Sequence, residues 1–341
     1  MSKADAVAAV LLLGATFYAV FGGADFGAGF WELFARRAGD PEAVRHRIER
    51  SIAPVWEANH VWLIFILVFF WTGFPEAFAA VMSTLYIPLA IAAVGIVLRG
   101  SGFAFGKVIE GPWRGRANLA FALSSILTPF FMGCVIGAVA AGEVPVGGDG
   151  DPTGSWIGFL PLTLGALFVA AGAYLAAVFL VHDASSSGDE QNARVFARWA
   201  LGAAGVAGAF AVLGAVALHA DAETVWDGLK GDALPLAIAS VACGAVVVVS
   251  ALRVVRSGGT VLRWMRPFAV AAVVALIWGG GVAMHPYLLP PAGGGTGLTI
   301  DASAAPDATL DVLLIVFGIA LVVVIPALGL LYTLSQKRLL E

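Results

Sequence analysis

Nine stretches of the chain carry no Asp, Glu, Lys or Arg: 6–24, 58–75, 77–98, 117–142, 156–181, 199–218, 233–252, 267–284 and 312–336. Each is about as long as the ~20 residues with which an α-helix crosses ~30 Å of hydrocarbon. With their flanking positions they predict spans at 5–34, 54–74, 76–99, 116–142, 156–182, 198–219, 233–253, 266–285 and 310–336. The expected fold is an all-α polytopic membrane protein of about nine transmembrane helices. Two four-helix bundles plus one peripheral helix would form a single integral membrane domain over 1–341.

The polar gaps carry their own signals. Asp40-Pro41-Glu42 reads as a helix start, with Asp at the N-cap, Pro at the first helical position and an acid in the first turn. It would open a short basic helix over 43–51 on the membrane surface. Gly73 to Glu76 leaves room only for a tight hairpin between the second and third spans. The stretch 286–308 is rich in Pro and Gly and predicts no regular structure. Glycines within the spans, such as Gly165, Gly172, Gly202, Gly205 and Gly208, predict close helix contacts.

Composition agrees with the pattern. The chain is 60% hydrophobic and 12% charged, against ~45–50% and ~25% in soluble domains. No basic tail or patch points to nucleic acid. The N-terminal MSKADAVAAV lacks a basic leader region, so the first span is expected to be retained. Cys134 and Cys243 lie mid-span without a Cys or His companion and read as packing residues. No metal site is expected.

Charge sets the sidedness. Of 19 lysines and arginines, all but Lys3 and Lys230 fall in alternate gaps, 17 against 2. The opposite gaps are acidic, with Asp5, Glu143, Asp149, Asp151, Asp221, Glu223, Asp227, Asp232, Asp301 and Asp307. The positive-inside rule therefore predicts an N-terminus outside and a C-terminus in the cytoplasm.

Few ionisable groups lie at membrane depth. Asp25 sits in the glycine-rich run Phe21 to Phe30, Glu57 about one turn into the second span, and Arg99 at the end of the third. The predicted topology places all three in the cytoplasmic third of neighbouring helices, where they would form a polar pocket facing the cytoplasm. A carboxylate in hydrocarbon costs ~2.5–3.5 kcal/mol even on lenient scales, so such groups persist where they pair or meet water. Each has a plainer reading too. Arg99 could be a snorkelling anchor, Glu57 could reach the head groups, and Asp25 could belong to a structural salt bridge. Glu57 and His60 are spaced as a Glu-x-x-His half-site, but a di-metal bundle needs a second such motif and two more glutamates.

Several of these runs resemble subunit II of cytochrome bd-type quinol oxidases. Gly22-Gly23-Ala24-Asp25-Phe26-Gly27-Ala28-Gly29 is similar to that family's first-helix element, and Ser51 to Trp62 to its second-helix signature. Phe74-Pro75, Tyr86-Ile87-Pro88 and Leu98-Arg99-Gly100 resemble its third-helix pattern in order and spacing. Pro286-Tyr287, Leu298 to Pro306, Pro326 and Tyr332 resemble its last outer loop and final helix.

The resemblance implies a haem-free accessory subunit in a bacterial cytoplasmic membrane, with no catalytic residue of its own. Haem b, haem d and quinol oxidation would belong to a partner, subunit I, with small single-span subunits as further partners. A structural quinone would be a possible ligand, at residues the sequence does not identify. The subunit would support assembly and carry protons from the cytoplasm toward oxygen reduction. Asp25 matches the family's glycine-flanked acid and Arg99 its third-helix arginine. Glu57, with Trp56 and Asn59 in support, completes the expected proton-uptake set. Glu57 stands where the family usually has Asp, His60 departs from the commoner Glu or Gln, and Gly22 replaces a frequent acid. The competing expectations are a secondary transporter, whose paired broken helices have a candidate only in the first span, and an assembly scaffold without a proton role.

Overall fold

The computed structural model describes residues 2–35, 59, 61–106, 112–257, 264–291 and 295–336. Helix α1 (Lys3–Phe17) starts at a capping box, in which Ser2 Oγ accepts from the Asp5 backbone N–H and Asp5 accepts from that of Ser2. A π-helical turn (Tyr18–Gly22) joins it to α2 (Gly23–Glu32), and the three make one apolar rod over Lys3–Glu32.

Helix α3 (Val61–Gly73) turns through 118° at Phe74 into α4 (Pro75–Thr84), with Pro75 at the first helical position. The third span, predicted as one helix over 76–99, is instead broken at Leu85, whose φ and ψ are −105° and 25°. It resumes as α5 (Tyr86–Gly106). Pro88 explains the break, because it has no N–H for the Thr84 carbonyl and its ring crowds that position. Beyond the break α5 runs past Arg99 to Gly106, so Arg99 lies two turns inside the helix rather than at its end.

Helices α6 (Pro112–Ala140) and α7 (Phe159–Ser186) follow. Asp151 between them accepts from the Thr153 and Gly154 backbone N–H groups at 2.8 and 2.9 Å. Those bonds, that of Gly154 foremost, hold its carboxyl below the usual range. Gly188, at φ +73°, turns the chain into α8 (Glu190–Asp221), which Asp189 caps through the Asn192 N–H. Then come α9 (Glu223–Lys230), α10 (Leu234–Ser257) and α11 (Met265–Met284).

The Pro/Gly-rich stretch expected to lack regular structure holds a short antiparallel pair. In it β1 (Tyr287–Leu289) faces β2 (Leu298–Thr299), with Tyr287 opposite Thr299. Helix α12 (Ile300–Ser303), capped by Thr299, and the long α13 (Asp307–Gln336) complete the chain. Among the described residues seven helices are long and apolar enough to cross a membrane, or eight if α3 and α4 count as one span. Of the nine charge-free runs, the third is divided between α4 and α5 at Leu85.

The core is organised around α7, whose apolar window is 67% buried against 17% for α8. Trp31 of α2 donates its indole N–H to the Ala173 carbonyl at 2.7 Å and stacks on Trp199 at 4.7 Å. Gly27 lies so close to the Gly172 carbonyl that a methyl group there would overlap it. Gly165 faces Cys134 and the Phe130 carbonyl in the same manner, and Cys134 is fully buried. Gly202, Gly205 and Gly208 behave otherwise. Among the described residues no atom outside their own helix backbone lies within 4 Å of where their side chains would begin, so the contacts predicted for them are not seen there.

Candidate functional site

Asp25 is the third residue of α2 and follows the π-helical turn directly. An extra residue in one turn rotates everything after it by about 100° about the helix axis. Beyond the turn, the Asp25 carboxylate meets Arg99 of α5. Gly22 sits at the end of the turn, against the Asn59 amide, and a methyl group there would lie 2.8 Å from Asn59 Nδ2. Asn59 is buried, and its Oδ1 has no hydrogen-bond partner among the described residues.

Arg99 reaches Asp25 from α5. Its Nη2 donates to Asp25 Oδ1 at 2.6 Å and to the Asp25 backbone carbonyl at 2.7 Å, while Nε donates to Oδ2 at 3.2 Å. The remaining nitrogen, Nη1, donates to Ser125 Oγ of α6. The guanidinium carbon lies 4.9 Å from the Phe26 ring and 4.3 Å from the Phe121 ring, so both neighbouring helices supply aromatic faces to the cation. Each side chain of the pair is 1% exposed. That number overturns the snorkelling reading of Arg99, since a snorkelling head group would be wet.

The arrangement is a neutral ion pair with nearly every donor satisfied, the condition under which two buried charges are tolerated. A fork of parallel N–H groups against a carboxylate also fixes orientation, which a lysine could not do. Chemically it holds a carboxylate beside a permanent positive charge in a dry surround, where charges are weakly screened.

Of the five residues expected at the site, the structure joins Asp25 and Arg99 and sets Asn59 against the preceding turn. Glu57 and Trp56 lie outside the described residues. Three participants were not anticipated: Phe26, Phe121 and Ser125. The sequence carried at most a weak trace of them, the Ser124-Ser125 pair within a mostly apolar run. Elsewhere, His219 packs against the Trp226 ring and His285 approaches Asp5 at 3.4 Å. Among the described residues no three His, Cys, Asp or Glu side chains are grouped to hold a metal ion.

Residues 4–335 match the family described as cytochrome bd terminal oxidase subunit II. The chain belongs to that family. Among subunit II relatives, the cytochrome bd ubiquinol oxidase subunit 2 of Bacillus subtilis is 32% identical over 142 residues, 41% of this chain and 40% of that protein. The cytochrome bd-I ubiquinol oxidase subunit 2 of Escherichia coli K12 is 30% identical over 134 residues, 39% of this chain and 34% of the relative. A putative cytochrome bd menaquinol oxidase subunit II of B. subtilis is 28% identical over 229 residues, 63% of this chain and 62% of its own length. In sequence, then, the chain spans well under two thirds of the first two relatives. In structure the likeness extends over nearly the whole chain: a chain of the bd oxidase from Geobacillus thermodenitrificans superposes with a TM-score of 0.81 at 27% identity. That match covers 98% of this chain and 99% of the other.

Proposed function

We propose that this chain is the haem-free accessory subunit of a cytochrome bd-type quinol:oxygen oxidoreductase in a bacterial cytoplasmic membrane. Its partner is subunit I, which would hold haem b and haem d and oxidise the quinol. Oxygen reduction to water consumes protons, and an oxidase without a pump builds a potential only if those protons are drawn from the cytoplasm. In this reading Glu57 and Asp25 take up and pass protons, Arg99 tunes them, and Trp56 and Asn59 orient the site.

The observation that carries the reading is the dry Asp25–Arg99 pair itself. Two fully buried charges with a satisfied hydrogen-bond shell are costly to place in a membrane, and proton relays are among the functions for which membrane proteins keep such groups. The charge count supports cytoplasmic access, because 17 of 19 basic residues lie in the gaps at that end.

The test is Glu57→Gln in the complex assembled with its partner. Glutamine keeps the shape and abolishes the titration, so oxygen-linked quinol oxidation is expected to fall roughly tenfold or more with haem content unchanged. Full turnover at normal haem content would leave the subunit as a scaffold.

A further inference from the structure

We infer that Ser125 is a positioning residue of the proton-uptake site: its hydroxyl anchors the far edge of Arg99 and so sets the charge that Asp25 and its neighbours experience. The inference rests on the proton-uptake reading above and adds to it a residue from a third helix, α6.

The hydrogen-bond inventory of a serine makes the assignment directional. A hydroxyl has one hydrogen to donate and lone pairs to accept with. Ser125 Oγ donates that hydrogen to the Phe121 carbonyl at 2.7 Å, one turn back along α6. Its hydrogen is thereby spent, and it meets Arg99 Nη1 as an acceptor only. Arg99 is consequently held from both sides, by the Asp25 carboxylate and backbone carbonyl on one edge and by Ser125 on the other. The Phe26 and Phe121 rings also lie within cation–π distance of the guanidinium. Ser125 is 1% exposed, so water does not take its place.

The surrounding backbone is shaped for this contact. A methyl group on Gly29 would overlap Ser125 Oγ and come within 2.8 Å of Arg99 Nη1. Glycine at 29 is therefore what lets α2 approach the junction of α5 and α6.

A serine that bonds to a carbonyl of its own helix is ordinary in an apolar span, and Ser124 provides the internal comparison. Its Oγ donates to the same Phe121 carbonyl at 2.7 Å and it is equally buried, yet it makes no bond to Arg99. If packing within α6 were all that mattered, the two serines would be interchangeable in their effects.

The experiment compares Ser125→Ala, Ser124→Ala and Glu57→Gln in the purified complex with its partner subunit. Haem content and oxygen-linked quinol oxidation are measured from mildly acidic to alkaline pH. Removing the Ser125 hydroxyl strands a donor of a charged group in an apolar surround, so the half-maximal pH is expected to move by about one unit. Turnover at neutral pH should fall roughly three- to tenfold, with haem content intact, while Ser124→Ala leaves the profile where it was. Ser125→Thr, which keeps the hydroxyl, should restore it. Were the Ser125→Ala complex not to assemble, Ser125→Cys, close in shape but a weak acceptor, is read by the same displacement. An unchanged profile in Ser125→Ala or Ser125→Cys, beside an altered one in Glu57→Gln, overturns the role of Ser125 and spares the proton-uptake reading. Unchanged turnover and profile in Glu57→Gln overturn that reading, and the assignment of Ser125 with it.

Discussion

At the scale of single residues, the Asp25–Arg99 pair behaves as one unit. Neutralising either half leaves the other as an uncompensated charge in a site 1% exposed, which costs about 3–5 kcal/mol. Asp25→Asn and Arg99→Met are each expected to lower the thermal stability of the assembled complex by about that amount. The double replacement Asp25→Asn/Arg99→Met should recover most of the loss, because no net charge is then buried. Stability is read as the temperature at which haem is released, or as subunit surviving a heat step. Losses that simply add in the double variant would show that the two residues are not coupled. The same pair shows what a sequence discloses at this scale. Asp25 and Arg99 stand out because ionisable groups are rare within charge-free runs. Ser125 does not, because a serine can satisfy itself on its own helix and many spans contain one for no further reason. The depth of burial of Arg99 was equally hidden, since only the continuation of α5 to Gly106 separates a buried cation from a snorkelling one.

At the scale of helices, glycine content misleads unless the facing surface is known. Gly27 meets the Gly172 backbone, whereas Gly202 meets nothing within 4 Å among the described residues, although both lie in runs of small residues. Gly27→Ala must push α2 away from α7 and is expected to destabilise the subunit by about 1–3 kcal/mol or more. Gly202→Ala should be neutral or slightly stabilising, since alanine favours the helix by about 1 kcal/mol over glycine. Equal yields of assembled complex for the two variants would mean that the α2–α7 crossing is looser than its geometry. Hydropathy located most elements well, because lipid exposure demands long apolar runs whatever their packing. It could not reveal the break at Leu85, because apolar character continues across it. Pro88 was visible, but prolines within spans are also tolerated, as Pro129 in α6 and Pro326 in α13 are. The β1–β2 pair escaped notice for the opposite reason: its strands are three and two residues long, too short for any alternation to register.

At the scale of the whole molecule, the polar contacts sort themselves into two ends, and the sorting bears on sidedness. Ser2 Oγ donates to Asp301 Oδ1 at 2.8 Å and Lys3 Nζ to Asp311 Oδ2 at 2.8 Å, so the first residues and the last predicted outer loop share one end. Glu143 and Asp221, from two other predicted outer segments, line a single cleft of about 270 Å³. Arg266 bonds Asp183 at 2.8 Å, joining two segments predicted to face inward. The two basic residues that break the charge rule are both neutralised where they stand, Lys3 by Asp311 and Asp307, and Lys230 by Asp227 at 2.9 Å. The positive-inside rule counts basic residues rather than net charge, so the asymmetry remains 17 to 2 whichever of them are paired. Cysteine labelling turns this into a measurement. In a background with Cys134 and Cys243 replaced, Asp149→Cys, exposed in the loop after α6, should react with a membrane-impermeant maleimide added to intact cells. Arg194→Cys, exposed near the start of α8, should react only after the membrane is opened. The opposite pattern would put the basic gaps outside and deny Glu57 and Asp25 a route to the cytoplasm, whatever the Glu57→Gln variant did to turnover.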